Sequence, residues 1–146
     1  MDTYKVYKAI IPSEISAVKF AVKETLQYIQ NCSCIDESTL FELKVILNEL
    51  IINAIKHGNS YDSSKSVKIC AEFSAKGYVT ISVEDEGEGY DFNCYKADSG
   101  EIYNVNEICE FPECGRGILI VRELCNSLRY NEKGNAVYVR KKITGD

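Results

Sequence analysis

Residues 49–58 read E-L-I-I-N-A-I-K-H-G, and this stretch carries most of the information about the fold. It ends a longer pattern of apolar residues at steps of three and four, which predicts a helix over residues 38–57. Gly58 follows the last turn of that helix, where a left-handed C-terminal cap is expected. The predicted buried face comprises Leu43, Ile46, Leu47, Leu50 and Ala54.

The same helix presents a pair of polar side chains beside its apolar stripe. Glu49 and Asn53 are four residues apart, so they project from one face, with His57 one turn further on. A carboxylate can accept a proton, and an amide oxygen can join the octahedral shell of Mg²⁺. When this motif is taken alone, a solvated helix face with a polar last turn is the favoured interpretation.

A second segment, E-D-E-G-E-G at residues 84–89, follows a predicted strand. Asp85 stands at the end of that strand, where a carboxylate can accept a hydrogen bond from an amino group. Gly87 and Gly89 permit a ligand to approach the backbone closely. An acidic turn after a strand is the plainer alternative, and the spacing is not that of a dinucleotide fingerprint.

A third segment, G-R-G-I, covers residues 115–118 and precedes an apolar pattern that predicts a helix. Gly115 and Gly117 therefore stand where free N–H groups and the helix dipole favour an anion. Arg116 adds a positive charge between them. A flexible loop that ends in a helix is the alternative when this segment is considered alone.

The remaining patterns predict one mixed α/β domain. Alternating apolar residues predict strands, and apolar stripes predict helices. A loop over residues 84–114 is long enough that we expect it to be functional. The other predicted elements are a strand at 4–11, a helix capped by Ser13 that ends near Asn31, strands at 67–73 and 79–83, a helix at 117–126, and a hairpin of 128–131 with 136–142.

Composition restricts the classes of protein. The chain has 146 residues, a formal net charge of −5 and no basic cluster, which argues against direct nucleic-acid binding. It has neither a secretory signal pattern nor the roughly 18 apolar residues that a membrane-spanning helix needs. We therefore expect a cytoplasmic protein.

The seven cysteines have no common zinc spacing, and their number is odd. A zinc or redox site is one interpretation. Reduced thiols that pack as small apolar side chains are the interpretation we favour.

The order of the three segments is far more specific than any one of them. A helix with E-x-x-x-N, a strand ending in D-x-G-x-G, a long loop and a helix opened by G-x-G resembles the ATP-binding fold shared by gyrase, histidine kinases and MutL. Within that superfamily the chain most resembles the anti-sigma factor serine/threonine kinases of bacteria, because N-E-L-I-I-N-A-I-K-H-G has their form and an N-terminal strand and helix precede it.

This resemblance implies an α+β fold of the Bergerat type. It is a two-layer α/β sandwich in which a mixed, mainly antiparallel sheet carries helices on one face. Residues 1–146 would form a single histidine-kinase-like ATPase domain, with an ATP lid at about 86–114.

The resemblance also implies ATP and Mg²⁺ as cofactors and a role for each matching residue. Glu49 matches the catalytic carboxylate, and Asn53 matches the Mg²⁺-binding asparagine. Asp85 matches the aspartate that recognises the adenine amino group. Gly87, Gly89, Gly115, Arg116 and Gly117 match the segments around the nucleotide. Asn135, in Gly134-Asn135-Ala136, stands where the family often has a threonine that supports adenine binding.

The implied function is phosphorylation of a small anti-anti-sigma protein of the STAS type, together with sequestration of a sigma factor, by a homodimer. Two alternatives stay open. One is a nucleotide-dependent binding module that transfers no phosphate, and the other is a catalytic domain related to the histidine kinases.

Overall fold

The computed structural model describes residues 6–74, 76–88 and 112–143, and for residues 112–116 it describes the backbone alone. Five strands and three helices make up this part of the chain. In order they are β1 (Val6–Pro12), a 3-10 turn (Ile15–Ala17), α1 (Val18–Cys32), α2 (Glu37–Asn53), a π-helical turn (Ala54–Gly58), β2 (Ser66–Phe73), β3 (Tyr78–Glu84), α3 (Pro112–Leu124), β4 (Ser127–Tyr130) and β5 (Ala136–Lys142).

The strands form one sheet in the order β1-β2-β3-β5-β4, and every described pairing is antiparallel. Side chains alternate between the two faces of a strand, and in β2 and β3 every second residue is buried. The predicted strands and the two-layer α+β architecture are confirmed, with a sheet that is antiparallel throughout its described part.

All three helices cover one face of the sheet, and α2 lies between α1 and α3. α2 is therefore the central helix of the layer and carries residues that face both of its neighbours. The large side chains that are almost fully buried in this core are Ile29, Leu43, Ile46, Leu47, Ile51, Ile55, Val67, Ile69, Val79, Ile81, Val83 and Val121.

Buried Lys141 ties the sheet to two helices. It lies on the helix-facing side of β5 and is only 8% exposed. Its Nζ donates to the carbonyl oxygen of Leu124 at the end of α3, at 2.6 Å, and forms an ion pair with Glu42 of α2, at 2.7 Å. One side chain thus satisfies a carbonyl that a helix end leaves without an intrahelical partner, and fixes α2 and α3 to the same strand.

Three local predictions were wrong. Ser13 does not cap a helix, because the chain first makes a 3-10 turn whose flanking residue is Glu14, and the Ser13 side chain is buried. α3 begins at Pro112, five residues before the predicted start at Gly117. Proline is well suited to a first helical position, since its missing N–H has no intrahelical partner there.

The third difference is at the end of α2. Gly58 does not adopt the predicted left-handed conformation; Ser60 and Tyr61 do, with φ of 53° and 62°. The helix instead continues through a π-helical turn as far as Gly58. The requirement for glycine at position 58 comes instead from its close approach to Asp85.

The described residues give no support for a metal or redox role of the cysteines. Cys32, Cys34, Cys70 and Cys125 are free thiols, and no group of three potential His, Cys, Asp or Glu ligands is found in this part of the chain. Cys94, Cys109 and Cys114 lie where no side chain is described. No helix in the described ranges is long and apolar enough to cross a membrane.

Candidate nucleotide-binding site

The π-helical turn brings the end of α2 against the end of β3. A Cβ added to Gly58 would overlap the carboxylate of Asp85, and a Cβ added to Gly87 would overlap the carbonyl oxygen of Gly58. Both glycines are therefore required by close approach. π-helical turns occur frequently at functional sites, and here the turn positions Gly58 directly beside a buried acid.

Asp85 is held by hydrogen bonds on both sides of its backbone and on its side chain. Its N–H donates to the carbonyl oxygen of Asn135, at 2.9 Å, and its own carbonyl oxygen accepts from Asn135 Nδ2, also at 2.9 Å. Its Oδ1 accepts from the N–H of Gly87, at 2.8 Å. Oδ2 has no such partner among the described residues, so it is the oxygen with acceptor capacity to spare.

Burial raises the pKa of Asp85 above its ordinary value, and the hydrogen bond from the Gly87 N–H opposes that rise. The side chain is only 6% exposed. A buried carboxylate is stabilised by additional hydrogen-bond donors. This environment therefore favours a ligand that offers an N–H group to Asp85.

Asn135 owes its position to the turn before β5. Asn131 Oδ1 accepts from the N–H groups of Gly134, Asn135 and Ala136, and Asn131 Nδ2 donates to Asn135 Oδ1, at 2.8 Å. Both the oxygen and the nitrogen of the Asn135 amide are thus engaged within the protein. Asn135 supports Asp85 through hydrogen bonds to its backbone. Any contact between Asn135 and a ligand would be made in addition to these bonds.

At the other end of the site, α3 packs closely against α2. A Cβ added to Gly117 would overlap Glu49 Oε1 and would lie 3.3 Å from Asn53 Nδ2. Asn53 is only 7% exposed, and its Nδ2 has no hydrogen-bond partner in the described part of the protein. A buried amide donor without a partner is costly, so this position is suited to a ligand that accepts hydrogen bonds.

Residues from both ends of the site line one pocket. It is lined by parts of α2, β3, α3 and the turn before β5, with Asn53 and Asp85 as its polar members from α2 and β3. Its volume among the described residues is about 20 Å³, and apolar side chains supply most of the rest of its wall. The apolar lining residues are Leu50, Ala54, Val83, Ile118, Ala136 and Val137.

Sequence reasoning missed Asn59, which joins three elements of the site. It is fully buried, its Oδ1 accepts from the N–H of Glu86, at 2.8 Å, and its Nδ2 donates to the carbonyl oxygen of Ser66, at 3.0 Å. The carboxylate of Glu86 in turn accepts from the hydroxyl and N–H of Ser66, and these bonds hold the pKa of Glu86 below its ordinary value. The only sequence signal was an asparagine directly after the helix.

The predicted site residues thus divide into two groups and a remainder. Glu49, Asn53 and Gly117 lie together, as do Asp85, Gly87 and Asn135. Gly115 is the fourth residue of α3 and Gly117 the sixth, so both stand beyond the free N–H groups of the helix start at which they were predicted. No side chain is described for Arg116. Gly89 and most of the predicted lid fall outside the described residues.

The chain is similar to known proteins over most of its length. Residues 11–141 match the histidine kinase-like ATPase domain. A serine-protein kinase RsbW of Oceanobacillus iheyensis is 23% identical over 147 residues, which cover 100% of the chain and 91% of that relative. An anti-sigma F factor of Shouchella clausii is 31% identical over 108 residues, which cover 72% of the chain and 70% of that relative.

A solved structure shares the fold. It contains the RsbU and RsbW domains of a Mycobacterium tuberculosis protein, and it superimposes with a TM-score of 0.65 at 14% identity. The match covers 97% of the chain and 33% of the solved chain. At this identity the similarity establishes the architecture alone.

Proposed function

The chain belongs to the histidine kinase-like ATPase domain family, and on that premise we propose that it is an ATP- and Mg²⁺-dependent protein serine/threonine kinase that acts as an anti-sigma factor. The relatives named as a serine-protein kinase and as an anti-sigma F factor support an anti-sigma kinase role. In this proposal residues 1–146 form one ATPase domain.

The observation that carries the proposal is the pair of incompletely satisfied polar groups at opposite ends of one apolar pocket. Asp85 offers an acceptor at one end, and Asn53 offers a buried donor without a partner at the other. An adenine amino group would donate to Asp85, and a phosphate oxygen would accept from Asn53. The two polar groups therefore match a nucleotide in chemistry, and the described pocket of about 20 Å³ has to widen to admit one.

The residues also fit a divalent cation. The Glu49 carboxylate and the Asn53 amide both lie beside Gly117 in the second turn of α3, and carboxylate and amide oxygens are donors that suit Mg²⁺. The metal would neutralise phosphate charge when it is bound. In the proposed reaction Glu49 takes the proton from a serine or threonine hydroxyl. The hydroxyl oxygen bonds to the γ-phosphorus while the bond to the bridging oxygen of ADP breaks.

The proposed partners follow from the family. The phosphoryl acceptor is a small anti-anti-sigma protein of the STAS type, and the sequestered protein is a sigma factor. In this proposal the kinase is a cytoplasmic homodimer that does not bind nucleic acid directly. The negative net charge of −5 is consistent with the last of these points.

Thermal unfolding with ATP or ADP, each with and without Mg²⁺, tests the nucleotide site. A ligand that binds the native state raises its stability by about 2.7 kcal/mol at a hundredfold excess over the dissociation constant. We expect a Mg²⁺-dependent rise in the midpoint that Asp85→Asn abolishes. Glu84→Gln, an exposed neighbour on β3, is the matched control and should keep the rise.

Transfer of phosphate to the anti-anti-sigma protein of the same organism, followed by mass spectrometry, tests the kinase activity. We expect Glu49→Gln to keep nucleotide binding and to lower the transfer rate about 10²- to 10⁴-fold, which is the usual contribution of a general base. Nucleotide binding with no transfer by the unmodified protein would favour the binding module. Acid-labile phosphate on histidine would favour the histidine-kinase alternative.

A further inference from the structure

A second concave surface lies between α1 and α2, away from the nucleotide pocket. It is a groove of about 870 Å³ whose walls are the outward faces of the two helices. Its floor is apolar, with Val22 and Leu26 from α1 and Leu40 and Ile52 from α2. At its rim Phe41 is 65% exposed, which is unusual for so large an apolar side chain.

The charged residues along the groove are mostly basic, although the chain as a whole carries −5. Lys19 and Lys23 line it from α1, and Lys44 lines it from α2. None of these three lysines forms an ion pair with another described residue. Glu37 is the acidic residue of the lining, and because α1 and α2 are antiparallel neighbours it lies at the opposite end from Lys19.

These features select one kind of occupant. α1 has 15 residues and therefore offers a groove about 22 Å long, the length of four helical turns. An apolar floor of that length between two helices is the usual receptor for the apolar face of an amphipathic helix. Three lysines without ion-pair partners favour acidic residues along the flanks of that helix.

The groove shares α2 with the nucleotide site. Asn48 and Ile52 line the groove, whereas Glu49 and Asn53 lie on the neighbouring face of the same helix. A helix bound in the groove would thus rest against the element that carries both proposed ATP-site residues of α2.

We infer that the groove between α1 and α2 is a docking site for an amphipathic helix with acidic flanks, supplied by a partner protein. The inference concerns a surface distinct from the ATP pocket, and it stands whether or not the proposed phosphoryl transfer occurs.

Two labelled peptides of about 18 residues test it by fluorescence anisotropy without nucleotide. Both place leucines at i, i+3, i+4 and i+7; one carries glutamates along its flanks and the other carries lysines. We expect the glutamate peptide to bind at least about tenfold more tightly at low salt, with the advantage reduced at high salt. Phe41→Asp should weaken it about tenfold or more, since the exposed ring is a rim contact.

The double variant Lys23→Glu, Lys44→Glu should reverse the preference between the two peptides, which a mere loss of fold would not do. The thermal midpoint of each variant verifies folding, and both changes are at exposed positions. Equal binding of the peptides, no binding of either, or an unchanged preference in the double variant would overturn the inference. Self-association that Phe41→Asp abolishes would also overturn it and would assign the groove to a second copy of the chain. Loss of the nucleotide-dependent midpoint shift would leave these outcomes unaffected.

Discussion

At the scale of single residues, the buried amide of Asn59 helps to position Asp85 through its neighbour Glu86. Its two hydrogen bonds join the turn after α2 to the first residue of β2 and to the turn after β3. Glu86 lies between Asp85 and Gly87, so holding the Glu86 N–H also holds the residues on either side. Asn59 therefore acts on the proposed adenine contact through the backbone and is a positioning residue.

We expect Asn59→Ala to raise the dissociation constant of ATP about tenfold, because the Glu86 N–H and the Ser66 carbonyl oxygen lose their partner. The cost in folding stability should be about 1–3 kcal/mol, typical of buried groups left unsatisfied. Asn59→Asp keeps an acceptor for the Glu86 N–H and should recover part of the affinity. Calorimetric titration with ATP, at a temperature below the unfolding range, measures the dissociation constant of each variant. Asn31→Ala is the exposed control.

An ATP affinity unchanged in Asn59→Ala would show that the other bonds to Asp85 suffice. Such a result is informative because Asn135 holds Asp85 independently, through two hydrogen bonds from the turn before β5.

Sequence motifs identified candidate residues of this site but missed a residue that supports them. Asp85 and Gly87 were identified because a short motif contains them. Asn59 was missed because its role depends on contacts 7 and 27 residues away along the chain, and an asparagine after a helix is common in any protein. Gly58 was identified as a special glycine for the wrong reason, since its missing Cβ matters for close packing against Asp85.

At the scale of elements, the contact between α2 and α3 shapes the proposed phosphate end of the site. Gly117 is the point of closest approach, and its missing side chain makes room for Glu49 and Asn53. Sequence periodicity located both helices but misplaced the start of α3. Helix starts are poorly defined by apolar patterns, because the first turn of α3 contains no repeated apolar step.

Gly117→Ala tests the position of Glu49 separately from the stability of α3. The new methyl group would displace the Glu49 carboxylate, whereas alanine in the second turn of α3 improves helix propensity by up to about 1 kcal/mol. We expect folding stability to be nearly unchanged and phosphoryl transfer to fall about tenfold or more, since small displacements of reacting groups are costly. Single-turnover assays with ATP in excess measure the rate, beside Ile120→Ala on the exposed face of α3 as control.

A transfer rate that survives Gly117→Ala intact would argue against the assigned role of Glu49. Equal losses of ATP affinity and of rate would instead indicate that the methyl group blocks the nucleotide itself.

At the scale of the whole molecule, the layer of three helices over one antiparallel sheet was predictable, because the alternation in each strand and the stripe on each helix define one buried face. The contacts that attach the helix layer to the sheet were less predictable. Lys141 shares the inner face of β5 with Val137 and Val139, as the alternation of a strand requires. Only the fold shows which helix groups this buried cation meets.

Replacement of this lysine tests how the layers are joined. We expect Lys141→Met to lower the free energy of unfolding by about 1–3 kcal/mol, because the Leu124 carbonyl oxygen and the Glu42 carboxylate lose their common partner. Glu42 is one-third exposed and can regain water, which limits the loss. Urea denaturation measures the change, with Lys142→Met as the exposed control on the same strand, for which we expect no more than about 0.5 kcal/mol.

Combining Lys141→Met with Glu42→Gln completes the argument through a double-mutant cycle. If the ion pair carries the attachment, the two changes together should cost clearly less than the sum of the separate costs. Additive costs would assign the stabilisation to the bond with Leu124, and the sheet would then be joined to α3 rather than to α2. Because Lys141 bonds both to the end of α3 and to Glu42 of α2, Lys141→Met should also loosen the packing of Gly117 against Glu49 and lower ATP affinity at a distance from the pocket.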